Sequence, residues 1–182
     1  MTKKLNPNWA FCFCDFETNG IDKESLPIEV GCIWTDVNLV ILKTYEALTK
    51  WGNIQKKDWY TPKVMGAYNI HKIQWEEYHG NGVTVECAAA NISRVNQQLL
   101  KKYDRIILIS DNAKFETRHM EKMYYAQELK WDFHYCTWDS STLLYAAGVG
   151  DPEPEHRAFR DAALLHKAMI EAMDRTRHLR NG

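Results

Sequence analysis

The stretch FCFCDFETNG, residues 11–20, sets two acids, Asp15 and Glu17, at the end of an otherwise apolar run. If that run is a strand, alternate side chains share a face: Phe11, Phe13, Asp15 and Glu17 lie together, and Cys12, Cys14 and Phe16 oppose them. Neighbouring like charges at an apolar strand end are unfavourable unless water, a cation or a metal offsets them. A second acid-bearing stretch is SDNAKFE, residues 110–116, where Asp111 or Asn112 can cap a helix and Glu116 lies about one turn inside it. The third is EHRAFRD, residues 155–161. Pro152 and Pro154 keep the backbone before it extended, so the helix starts near His156. Five residues are about 500° of helix, which keeps His156 and Asp161 off one regular stripe. His156 is therefore expected on the loop or at the helix start, and Asp161 inside the helix. Carboxylates are hard oxygen donors that suit Mg2+ or Mn2+, and a histidine suits proton transfer at neutral pH. Taken alone, each motif is weak, since D-x-E by itself reads as two solvated strand-end acids.

The elements that must position these residues follow from periodicity. Residues 10–16, 28–36 and 39–48 read as three strands joined by short turns, an antiparallel meander. From 50 to 82 the pattern is irregular and aromatic, with helical turns after Pro62. Val85, Ala88, Ala89, Ile92, Val95, Leu99 and Leu100 recur with helical period over 84–102, behind a Thr84 cap. RIILIS, residues 105–110, suits a strand buried on both faces. A helix over 112–128, a short strand at 133–136 and helices over 140–147 and 157–177 complete the chain. This order predicts one α/β domain over 1–182, with tails at 1–9 and 178–182: a ribonuclease H-like mixed five-stranded sheet, an antiparallel meander then parallel strands, flanked by helices.

Composition excludes several classes. Apolar residues at 45% and charged residues at 26% fit a globular chain, and a net charge of −1 argues against a general polyanion binder. No apolar run approaches the roughly 20 residues of a membrane span, and none follows the N-terminal lysines. A cytoplasmic protein with no membrane partner is expected. Cys12, Cys14, Cys32, Cys87 and Cys136 form no CxxC pair and read as buried thiols in a reducing compartment. Trp51, Trp59, Tyr60, Tyr68 and Trp75 either stack unpaired bases or pack a loop onto the core, and packing is the commoner use. His71 and His79 read as exposed helix polarity, and Arg175, Arg177, His178 and Arg180 as partners of a helix C-terminus.

In order and separation, D-x-E-T-x-G (Asp15 to Gly20), N-A-x-F plus an acid (Asn112 to Glu116) and H-x-A-x-x-D (His156 to Asp161) resemble the three motifs of the DnaQ-like DEDDh 3′–5′ exonucleases. Pro27-Ile28-Glu29-Val30-Gly31 looks like the family's I-I-E-I-G, and His71-Lys72-Ile73 looks like its H-G-I. Three positions depart: Glu116 stands where the family has aspartate, preceded by Asp111 where histidine is common, and Lys72 replaces glycine.

The resemblance implies four ligands, Asp15, Glu17, Glu116 and Asp161, for two Mg2+ or Mn2+ ions, with His156 as general base. It implies that Thr18, Asn19, Gly20, Asn112 and His71 meet the nucleic acid. The implied activity is release of nucleoside 5′-monophosphates from the 3′ end of single-stranded DNA. An exoribonuclease of the oligoribonuclease or ribonuclease T kind is the alternative, and a binding module with weak or no turnover a further one. Asp111 is left open as a rival of Glu116 for the third carboxylate, and a homodimer is left open as well.

Overall fold

The computed structural model describes residues 8–177, so His178 and Arg180 lie outside the described residues. Three ten-residue strands, β1 (Trp9–Thr18), β2 (Pro27–Asp36) and β3 (Ile41–Lys50), form the expected meander. The irregular segment folds into short helices α1 (Lys56–Trp59), α2 (Pro62–His71) and α3 (Trp75–Asn81) and ends in a two-residue strand, β4 (Val83–Thr84). There follow α4 (Val85–Leu99), β5 (Arg105–Ser110), α5 (Ala113–Tyr125), β6 (Trp138–Asp139), α6 (Ser140–Ala146) and α7 (Ala158–Arg175). The sheet runs β4-β3-β2-β1-β5-β6, with β5 parallel to the central β1 and β6 parallel to β5.

Three expectations need correction. The sheet has six strands among the described residues, because β4 pairs with the end of β3 through Thr49 and Lys50. The strand expected at 133–136 instead forms at 138–139. Asp132 holds the intervening loop by accepting from Ser93, Asn96 and Tyr124, so Phe133 is buried while Tyr135 turns out to solvent. The third strand starts at Ile41, not Leu39, because Asp36 Oδ1 accepts from the Asn38 and Val40 amides and puts Leu39 in the turn at φ 63°. Cys12, Cys14 and Cys32 are buried as expected, but Cys87 and Cys136 are exposed. No helix among the described residues is long and apolar enough to cross a membrane.

The sheet separates two apolar layers. Cys12, Cys14 and Phe16 face α4 and α5, while Phe11 and Phe13 face α6 and α7, the alternation that a central strand requires. A third, smaller core of Ile28, Leu48, Trp59, Ile73 and Tyr78 seats the aromatic insert on the meander. Trp59 donates to the Ile73 carbonyl at 3.1 Å and Trp51 to the Pro27 carbonyl at 2.6 Å, so these rings pack the insert. Tyr60 is 42% exposed and stays at the surface.

Two backbone positions, Gly31 and Lys72, control how helices reach the site. A Cβ at Gly31 would lie 2.4 Å from backbone atoms of Ala158 and Phe159, so the start of α7 rests directly on β2 opposite Asp15. Lys72 occupies the position after α2 in the left-handed region, φ 57°, where glycine is at ease and a lysine is strained. Urea denaturation is expected to show Gly31→Ala destabilised by about 1–3 kcal/mol. Lys72→Gly is expected to gain about 1 kcal/mol through release of the left-handed strain.

Candidate active site

The C-terminal ends of β1 and β5 point the same way, and every acid predicted for the site arrives there by a different route. Asp15 and Glu17 come from the end of β1, where Glu17 lies opposite Glu29 and Asp15 opposite Gly31. Asp111 follows β5. Glu116 enters from the first turn of α5, and Asp161 from the first turn of α7. His156 precedes α7 on the loop and has φ 59°, the left-handed region for a non-glycine residue. Together with apolar walls from Ile21, Ala67, Ile70, Phe115 and Leu164, these elements bound an open cleft of about 250 Å³ that exposes Asp15, Glu17, Asp111, His156 and Asp161.

One ligand atom from each of Glu17, His156 and Asp161 falls within 4.8 Å of the others, close enough for a single ion. Burial, followed by the charges of Glu17, Asp161, Asp111 and Glu29, raises the Asp15 carboxyl well above its usual range. Burial, Glu29 and Asp161 push Glu17 up to about 8, opposed by Arg157. Glu116 is only 4% exposed, and burial, then Asp15 and Glu17, raise it well above the carboxylate range. Its Oε2 has no hydrogen-bond partner among the described residues. A buried, unpaired carboxyl oxygen beside other acids fits a cation better than it fits packing. The residues present thus fit hard divalent ions, with an all-oxygen carboxylate set and a histidine at its margin.

The rival acid takes a different position. Asp111 is exposed and accepts from Ser141 Oγ, and it does not cap α5. That role falls to Asn112, whose Oδ1 accepts from the Phe115 amide at 3.2 Å. Asn112, predicted to meet nucleic acid, therefore spends its side-chain oxygen on the helix. Asn19 likewise closes the β1–β2 loop, with Oδ1 accepting from the Leu26 amide at 2.7 Å. Gly20 is buried beside Ser25, and of that turn Thr18 lines the cleft.

His71 is not exposed polarity. It is 4% exposed, accepts from the Ile73 amide at 2.9 Å through Nδ1, and lies behind the cleft wall and not in it. Burial and then the Arg157 charge lower its pKa to about 4, so it is neutral at pH 7. His79, by contrast, is exposed and stacks on Trp75 with ring centroids 5.4 Å apart.

Three further residues of the site escaped the sequence reading: Glu29, Arg157 and Glu77. Arg157 Nε donates to both oxygens of Glu29, at 3.0 and 3.2 Å, and its terminal nitrogen reaches Glu29 at 2.6 Å and Glu77 at 3.0 Å. Glu29 is a charged residue in a buried strand, and that was the available signal, since such a group demands a partner. The partner's identity, 128 residues away, was not in the sequence.

No protein-family model and no curated protein matches the chain. Solved structures do. The zinc-bound complex of E. coli exonuclease I with single-stranded DNA is similar at TM-score 0.71 and 17% identity, covering 96% of this chain and 42% of that one. Apo exonuclease I gives TM-score 0.70 and 19% identity over 94% of this chain and 43% of that one. The E. coli enzyme in complex with a 5cy-dT13 oligonucleotide gives 0.71 and 20% over 94% and 42%. The chain thus spans about two fifths of the length of these exonuclease I chains, and what it shares with them is the ribonuclease H-like exonuclease fold.

Proposed function

We propose that this chain is a divalent-metal-dependent 3′–5′ exonuclease of the DEDDh type, acting on the end of single-stranded DNA. The observation that carries this reading is that Asp15, Glu17, His156 and Asp161 line one cleft at the ends of β1 and β5, with the buried Glu116 near enough to Asp15 and Glu17 for their charges to raise it, all five drawn from three separate stretches. The solved exonuclease I complexes with single-stranded DNA support the substrate class, because they share the fold. Mg2+ or Mn2+, which the four carboxylates would hold, would supply charge neutralisation and polarise the scissile phosphodiester when bound.

The chain's own residues account for the remaining chemistry. His156, on an open loop beside Glu17 and Asp161, accepts the proton of the attacking water. As the water oxygen bonds to phosphorus the P–O3′ bond breaks and O3′ takes a proton from solvent, leaving a shortened strand with a free 3′-hydroxyl and a nucleoside 5′-monophosphate. Thr18, Ile21, Ile70 and Phe115 enclose the terminal nucleotide against the acids and restrict water around it.

Incubating the protein and Mn2+ with matched 5′-labelled DNA and RNA oligomers is expected to give a ladder shortening from the 3′ end of the DNA, abolished by EDTA. A ladder from RNA alone would make the chain an exoribonuclease, and cleavage in excess EDTA would refute the metal mechanism. His156→Ala is expected to lower the rate by about 10² or more.

The third carboxylate is separable by substitution. Glu116→Gln is expected to lose most activity and Glu116→Asp to retain it, whereas Asp111→Asn keeps activity because its Oδ1 is engaged by Ser141 and the cap is Asn112. The reverse pattern would assign the ligand to Asp111.

Stability supplies a test independent of turnover. A carboxyl with a raised folded pKa stabilises the fold while protonated, and that contribution disappears as pH rises from the unfolded value to the folded one. Between pH 5 and the Glu17 value of about 8, the metal-free melting temperature is expected to fall, with Asp15 and Glu116 contributing in the same direction. Mn2+ binds the ionised forms and should raise the melting temperature more at pH 8 than at pH 5. An equal or absent rise at both values would refute a metal site built from these acids.

A further inference from the structure

Glu29, Arg157 and Glu77 do not line the cleft, although Glu29 stands opposite Glu17 on the neighbouring strand. Together they gather three separate elements on one guanidinium: β2 through Glu29, α3 through Glu77, and the loop that carries His156. The same loop is tied twice more. Glu155 N and Arg157 N, the amides on either side of His156, both donate to Asp161, at 2.7 and 3.2 Å, and the Ala158 amide donates to Glu29 at 2.9 Å. Between those ties His156 holds φ 59°. For a non-glycine residue this conformation costs roughly 1–2 kcal/mol and persists only where the surroundings over-determine it.

We propose that Glu29, Arg157 and Glu77 form a positioning clamp that fixes His156 relative to the site acids, and that Glu77 makes this placement depend on the seating of α3. Its consequence for turnover rests on the nuclease reading of the site. Glu29 is 9% exposed at its side chain, so on its own it would be a costly buried charge, and the fork of Arg157 satisfies both of its oxygens. A lysine offers a single point of contact and cannot span Glu29 and Glu77 with the same geometry. The segment that contains α3 also supplies Ala67 and Ile70 to the cleft wall. Arg157 thus links the loop of the general base to the segment that supplies part of the substrate-facing wall.

Two mild variants, Glu77→Gln and Arg157→Lys, test the clamp with two readouts. Arg157→Ala is less useful, since it strands Glu29 as an unpaired buried charge. On single-stranded DNA with Mn2+, kcat is expected to fall about tenfold in Glu77→Gln and further in Arg157→Lys. KM should stay within about twofold, as expected for residues that touch no substrate. In ligand-free protein, the amides of Glu155, Arg157 and Ala158 should exchange with solvent several-fold faster, with those of β1 and β5 unchanged. Unchanged exchange in both variants would overturn the clamp whether or not the chain cleaves nucleic acid. A raised KM at unchanged kcat would overturn it too, by showing a substrate contact. A wild-type protein that cleaves nothing but shows the faster exchange upholds the clamp and overturns only the nuclease reading.

Discussion

Mutual repulsion among carboxylates is the constraint that organises this molecule. Asp15, Glu17, Glu29, Glu116 and Asp161 gather at one end of the sheet, and Asp15, Glu17 and Glu116 are driven above the ordinary carboxylate range by burial and by neighbouring acids of this group. Such a cluster works against folding unless cations accompany it. Arg157 provides part of that charge, engaging Glu29 and easing Glu17. The remaining need is what a divalent ion would meet. Residues that cost stability in the absence of a ligand are the expected signature of a binding site, because a packing role would have been served better by apolar side chains.

The fold answers this constraint by bringing opposite layers to one edge. A central β1 with parallel β5 at its side creates a strand-end crevice, the position that open α/β sheets commonly give to ligands. Glu116 approaches from the α4–α5 side, and Asp161 and His156 from the α7 side. Close approach on the α7 side needs the missing side chain at Gly31, which lets the first turn of the helix lie on the strand. On the other side, a buried polar chain of Trp34, Asn96, Tyr124 and Asp132 pins α4, α5 and the loop before β6 to the sheet. That network leaves α5, and with it Glu116, little freedom to withdraw.

The aromatic insert between β3 and α4 joins the scaffold to the cleft. Trp59, Tyr78 and Trp75 meet at ring-centroid distances of 4.5–5.6 Å and form a small core of their own, which is why this stretch looked irregular when read for a single period. Its outer side reaches the cleft through Ala67 and Ile70, and its last helix reaches Arg157 through Glu77. An element of weak local propensity is thus held by ring packing and one ion pair, both of which are tertiary interactions.

The sequence by itself determined the strand alternation of β1, the helical period of α4, the buried character of β5 and the acids that are candidates for the site. These are written in short-range patterns, where periodicity decides which face is apolar. It also placed His156 on the loop or at the start of α7, because two prolines precede it and five residues of helix keep it off the stripe of Asp161. Only the tertiary structure decided what depends on partners distant in the chain. Asp132, pairing with residues up to 39 positions away, moved the last strand from 133–136 to 138–139. The engagement of Asp111 by Ser141, 30 positions on, and of Glu29 by Arg157, 128 positions on, separated a cleft-lining acid from a capping residue and an ion-paired acid from the acids of the cleft. A carboxylate's role is set by the charge and burial around it, and those exist only after the chain has folded.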